Sequence, residues 1–168
     1  MSQSLSIEAF QFRIQGLAVP VGLVIDDLTL GGTSANIETD PFGITLQQEG
    51  TMTALISESA LAAFLRTKMS MVSDLRVTLA EDRLTIEATI RLIVELSGTA
   101  VAQLVIDDGQ RILVVLESVE PAPLKSLLES QIAGFNPVFD AQDLPFHVRL
   151  TSLAIADGRI VLEGLARP

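Results

Sequence analysis

The chain has no cysteine, tryptophan or tyrosine, a single histidine, and no cluster of lysine or arginine. Without cysteine there is no disulfide, no thiolate nucleophile and no Cys-ligated metal, and either redox compartment is compatible. A zinc or non-haem iron site needs several ligands converging. His147 stands alone in LPFHVRL, out of phase with Phe146, Val148 and Leu150, and reads as a solvent-side strand residue. All seven aromatics are Phe, which leaves little for stacking single-stranded nucleic acid or sugar rings. Against 21 acidic residues there are 11 basic ones, a net charge of −10; this argues against nucleic acid and against electrostatic docking on anionic lipid.

Long hydrophobic runs are also missing. Residues 16–25 come nearest, and Asp26-Asp27 stops them well short of the roughly 18 apolar residues of a membrane span. The opening MSQSLSIEAFQF has neither a basic n-region nor an apolar h-region. The chain as given is therefore expected to be cytoplasmic, with a cell-envelope location if an amino-terminal signal was removed.

Catalytic motifs are equally sparse. No serine, Ser57 included, sits in a Gly-x-Ser-x-Gly elbow. Gly31-Gly32-Thr33 lacks the spacing and the lysine of a phosphate loop. Asp26-Asp27 and Asp107-Asp108 each follow a strand pattern and precede a turn, where local hydrogen bonding favours Asp; both pairs read as turn residues. The expectation is a non-enzyme without cofactor or metal.

What the chain does have is apolar content. Hydrophobic residues are 48% of 168, and mean hydropathy is +0.46. One domain spanning 1–168 can bury a large core, with apolar surface left over for a ligand or a partner.

The order of that content is mostly strand-like. Leu5, Ile7 and Ala9 alternate with polar residues, then Phe10, Phe12 and Ile14 do so in opposite phase, which predicts a bulge near Ala9. Pro20 marks an edge or bend, and 34–37 and 42–48 are short strands split by Thr39-Asp40-Pro41. Ala80-Glu81-Asp82-Arg83, Asp107-Asp108-Gly109-Gln110 and Ala156-Asp157-Gly158-Arg159 are hairpin signals flanked by apolar alternation. Leu84 to Leu96 alternates throughout, predicting one strand ~40 Å long. Residues 101–106 and 112–116 are apolar on both parities, so both faces there need a cover.

Two stretches carry helical spacing. Ser57 is an N-cap for a helix over about 58–69, whose apolar face is Leu61, Phe64, Leu65 and Met69, with Arg66 and Lys68 near its end. Pro121 and Pro123 open a second over about 122–134 with Leu124, Leu127, Leu128, Gln131, Ile132 and Phe135 at three- and four-residue steps, closed by Gly134 and Asn136-Pro137. At ~1.5 Å per residue each helix spans only ~20 Å, less than the long sheet.

The fold class is accordingly α+β: a long curved antiparallel sheet, a meander of hairpins, packed against two amphipathic helices. Taken singly, Leu61, Phe64, Leu65, Met69, Leu124, Leu127, Leu128, Ile132 and Phe135 are core residues. Together with the two-sided strands they become candidate lining for an apolar groove.

The residues Leu144-Pro145-Phe146, Val148-Arg149-Leu150-Thr151-Ser152 and Asp157-Gly158, followed by an apolar strand, resemble the closing hairpin of the LmeA-like phospholipid-binding family of bacterial proteins. Ile56-Ser57-Glu58-Ser59-Ala60-Leu61 is similar to the family's first-helix entrance, and the resemblance covers residues 37–168. It implies a curved antiparallel sheet wrapped against helices, similar to the tubular lipid-binding superfamily, with an apolar cavity for acyl chains. No catalytic residues carry over. Family members commonly begin with a signal peptide or anchor, which this amino terminus does not match.

Three functional readings follow. The leading one is non-enzymatic binding of phospholipid or fatty acyl chains in a groove between sheet and helices, with peripheral membrane contact left open. The alternative is an interaction module or homodimer that covers the surplus apolar face. An esterase-like enzyme would require a serine, His147 and a carboxylate to converge.

Overall fold

A computed structural model describes residues 3–144 and 146–168; Pro145 of the Leu144-Pro145-Phe146 motif lies outside them. The architecture is α+β, antiparallel sheet with two helices, and the strands are divided among three sheets.

The phase slip at Ala9 marks a change of sheet in place of a bulge. β1 (Ser4–Ile7) pairs with β4 (Ala35–Thr39), and β2 (Phe10–Ala18) pairs with β3 (Val24–Gly32). A bend at Glu8-Ala9 lets each strand turn its own apolar parity towards its own partners. β5 (Phe42–Leu46) completes the three-stranded sheet β1-β4-β5. Pro20 lies in the turn that ends β2, an edge strand. Asp26-Asp27, expected in a turn, lie within β3 instead. The Asp26 carboxylate accepts the Ser57 N–H at 2.7 Å, and Asp27 pairs with Arg13 across the β2–β3 ladder, so each charge has a donor.

β6 (Gly50–Ser57) runs into α1 (Glu58–Lys68), whose first turn is capped by Ser57: its Oγ accepts the Ala60 N–H at 3.2 Å. The buried face of Leu61, Phe64 and Leu65 packs against β3, β6 and β7 (Val72–Ala80), and buried Met69 closes the helix as its C-cap. The second helical stretch opens as a 3-10 turn, Ala122–Leu124, and becomes α2 over Lys125–Ala133. Prolines at 121 and 123 withhold two N–H groups from this first turn, and Leu124 donates to the Pro121 carbonyl at 3.1 Å.

Three hairpin turns fall where Asp and Gly placed them. They join β7 to β8 (Arg83–Arg91), β9 (Glu95–Asp107) to β10 (Arg111–Glu120), and β12 (Val148–Ala156) to β13 (Arg159–Ala166). Glu81, Asp82, Asp108, Gly109, Asp157 and Gly158 all have positive φ, the backbone that tight hairpins of the right twist require.

The single long strand expected over Leu84 to Leu96 is not formed. β8 ends at Arg91, Leu92, Ile93 and Val94 make a turn, and β9 returns with Arg91 opposite Glu95. Nothing in Leu-Ile-Val has turn chemistry. The pairing of two long strands, from Leu84↔Ala102 to Arg91↔Glu95, overrides the local preference for extension.

With β11 (Phe139–Asp140), these strands form a five-stranded sheet ordered β11-β10-β9-β8-β7. The other five-stranded sheet, β12-β13-β6-β3-β2, joins the two ends of the chain: β13 pairs with β6 from Arg159↔Ser57 to Ala166↔Gly50. Both helices and the inner faces of the sheets feed one hydrophobic cluster. The two-sided apolar strands are covered unequally. Ala102, Leu104, Ile112 and Val114 are buried, Val101, Val105 and Leu113 on the other parity are half-buried, and Val115 is exposed.

Candidate functional site: a basic-rimmed cleft with one apolar wall

β12 enters its sheet with strict alternation. Val148 and Leu150 are buried while His147 and Arg149 are exposed, so two basic side chains come to stand on one face directly beside an apolar wall. The Arg149 stem lies over the β9–β10 turn, where a Cβ on Gly109 would come 3.0 Å from Arg149 Cγ. The Leu150 N–H donates to the Gly109 carbonyl at 2.7 Å. Behind β13, the Arg167 N–H donates to the His147 carbonyl at 2.8 Å, drawing the carboxyl-terminal residues to the same place.

Between these groups and β5 lies a cleft of about 1030 Å³. Ile44, Leu46, Leu144, Phe146 and Val148 give it an apolar wall, while His147, Arg149 and Arg167 give a basic side and Asp108, Gln110 and Gln142 the remaining polar groups. Gln142 donates to the Gln110 side chain at 3.2 Å, and the Asp140 carboxylate fixes the Gln142 N–H at 2.9 Å. Among the described residues neither Arg149 nor Arg167 is in an ion pair. Guanidinium groups free of a carboxylate partner can take a phosphate in a two-pronged fit, and the wall beside them suits alkyl groups. Among the described residues no serine lines the cleft beside His147. A second, shallower recess of about 750 Å³ beside β7, β8 and β9 is lined by Asp74, Arg76, Glu87, Ala88, Thr89, Ser97, Gly98, Thr99, Glu120 and Pro121; it has no long apolar side chain, and Arg76 is its one basic group among three carboxylates.

The helix residues expected to line a groove are in the interior. Leu61, Phe64, Leu65, Met69, Leu124, Leu128, Ile132 and Phe135 are buried and Leu127 is half-buried. The Phe64 ring on α1 does meet the Phe135 ring, just after α2, edge to face. None of the nine lines either cleft. His147 is on the solvent side, as its phase predicts.

A family model described as LmeA-like phospholipid-binding matches residues 3–164. The chain belongs to that family. Within this LmeA-like protein the match reaches beyond the closing hairpin and first helix to include β1 to β3, so the amino-terminal strands are part of the family's body. No curated protein and no solved structure matches the chain. Among the described residues no helix is long and apolar enough to cross a membrane.

The basic residues of the cleft escaped the sequence reading because Arg149 and Arg167 stand 18 positions apart and look like isolated surface charges. The available signal was the alternation His147, Arg149 against Val148, Leu150, which already puts two basic groups on one face.

Proposed function

We propose that this LmeA-like protein is a non-enzymatic phospholipid binder that seats the lipid phosphate against Arg149 and Arg167 and lays acyl chain along the wall formed by Ile44, Leu46 and Phe146. The observation that carries this reading is the juxtaposition of an apolar wall with two guanidinium groups that have no ion-pair partner among the described residues, in a chain of net charge −10. Each buried methylene would contribute ~0.8 kcal/mol, so a few carbons of chain suffice for useful affinity.

The helix stripes are a second proposed lining, reached when α2 lifts from β10. That helix has no side-chain cap at its amino terminus and no charged residue complementing either end, which makes it the less anchored of the two.

The test is organic extraction and mass spectrometry of the purified protein, followed by binding of a phospholipid with a photoactivatable acyl chain. Stoichiometric phospholipid is expected, with cross-links at Leu46, Phe146 or Val148, and R149E/R167E should lower retention at least tenfold. Cross-links confined to Leu61, Phe64 and Phe135 would move the site under the helices. A lipid-free protein that also fails to bind added phospholipid sinks the proposal. The alternative, a homodimer or partner interface, would be built on Val115 with half-buried Val105 and Leu113; a native mass that doubles with concentration would support it.

A further inference from the structure

The β8–β9 turn is built from the wrong residues for a turn in water. The β7–β8, β9–β10 and β12–β13 turns use Glu, Asp and Gly at positive φ, as solvent-facing hairpins do. The β8–β9 turn uses Leu92, Ile93 and Val94. Ile93 is fully exposed, Leu92 is 51% and Val94 62% exposed, and Leu96 just behind them is exposed as well. All seven residues of 91–97 are exposed, so the loop stands clear of the body at one end of its sheet. Consecutive exposed aliphatic side chains of this kind mark a contact surface.

We infer that this apolar loop inserts into the surface of a phospholipid bilayer. Size decides between a membrane and a protein partner. Three aliphatic side chains at a hairpin apex fall well short of the ~800 Å² per partner of a stable protein interface. They are sufficient for a wedge reaching the ~5–10 Å to the headgroup and acyl boundary.

Charge agrees with this placement. Arg91 and Glu95 pair across the base of the loop at 3.3 Å, leaving the apex without net charge in an otherwise acidic protein. The chain's two lysines are at the same end. Lys68 ends α1 three residues before Met71, whose carbonyl accepts the Arg91 N–H at 3.2 Å. Lys125 begins α2 next to Leu124, which lies against Gly98 on β9. With the loop inserted, Lys125, and Lys68 once swung off the Phe64 ring it covers here, would be placed to extend to lipid phosphates, as long basic side chains do. The driving force is apolar insertion, so zwitterionic phosphatidylcholine is sufficient. The bilayer as occupant accords with the phospholipid-binding reading, but the contact is made by residues separate from the cleft.

The absence of tryptophan and tyrosine makes the test clean. In the full chain, I93W places a lone indole on the apex without touching the core. Adding phosphatidylcholine vesicles should shift its emission to the blue, and brominated acyl chains should quench it. I93D should reduce vesicle co-sedimentation at least tenfold while leaving the unfolding midpoint and the binding of a soluble short-chain phospholipid unchanged. Emission that ignores vesicles, or co-sedimentation that survives I93D, overturns the inference. A blue shift that grows with protein concentration in the absence of lipid also overturns it, in favour of a second copy of the chain. R149E/R167E should abolish binding of the short-chain lipid and spare the vesicle response of I93W, so the two proposals fail separately.

Discussion

The ring of Phe64 on α1 meets the ring of Phe135, just after α2, edge to face, with centroids 5.9 Å apart and planes at 89°. Both rings are buried, and Lys68 lies over the Phe64 ring 5.8 Å from its centre. This side-chain contact joins α1 to the segment just after α2 across the core, although the two sequence positions are 71 apart. Truncating either ring, in F64A or F135A, should lower stability by about 3–5 kcal/mol. A double-mutant cycle with Leu replacements should leave a coupling of about 0.5–1.5 kcal/mol from the edge-to-face geometry itself. Chemical denaturation of the four proteins measures it, and a coupling near zero would reduce the pair to simple filling of volume.

Asn136 stands in for a strand. Its Oδ1 accepts the Val114 N–H at 3.0 Å and its Nδ2 donates to the Val114 carbonyl at 3.0 Å, continuing the edge of β10 beyond the two-residue β11. N136A strands both groups of a buried residue and should cost about 1–3 kcal/mol. Hydrogen exchange should accelerate first at Val114 and then along α2, which Asn136 anchors to the sheet. Unchanged protection at Val114 would show that water replaces the side chain there.

Gly50 allows β6 to approach β3. A Cβ at this position would stand 2.6 Å from the Gly31 carbonyl oxygen, which is backbone and cannot swing away. G50A should therefore destabilise by about 1–3 kcal/mol. Gly43 has nothing within 4 Å of such a Cβ, and G43A should stay within about 0.5 kcal/mol of the parent. Thermal unfolding of the two variants side by side checks the contrast.

Asp27 should titrate below the ordinary carboxylate range, held there first by its hydrogen bond to the Arg13 guanidinium, which outweighs the opposing effect of burial, with a lesser contribution from that group's charge. Because the folded value is depressed, the pair's contribution to stability is present above the ordinary carboxylate value and is lost as pH falls through the depressed one. The site is open to solvent and the effect is small and sensitive to salt. Carboxyl-resolved NMR titration should show Asp27 returning to an ordinary value in R13Q, and an unmoved Asp27 would count against the pairing.

Much of the architecture was legible because its causes are local. Ser57 with Glu58, and Pro123 with the Leu spacing after it, specify two helices through capping and periodicity within a dozen residues. Asp-Gly and Glu-Asp pairs specify three hairpin turns through the backbone angles they tolerate. The opposite apolar phases around Ala9 mark the place of an irregularity, but they read as a bulge, and only the pairing of β1 with β4 and of β2 with β3 makes it a change of sheet. Family membership belongs here as well, since it too is carried by residues read in order.

What only the tertiary structure decided depends on pairing between distant segments, for which local residues leave no mark. The turn at Leu92 to Val94 exists because β8 and β9 pair along their length, and its residues considered alone favour extension. The union of β13 with β6 closes a sheet from the two ends of the chain, and many registers would satisfy the same alternating pattern. The helix stripes became interior because both face the same core. The cleft arises where β5, the β9–β10 turn, the entry to β12 and the carboxyl terminus meet; its basic and apolar groups acquire a joint meaning only once folding brings them within reach of one ligand.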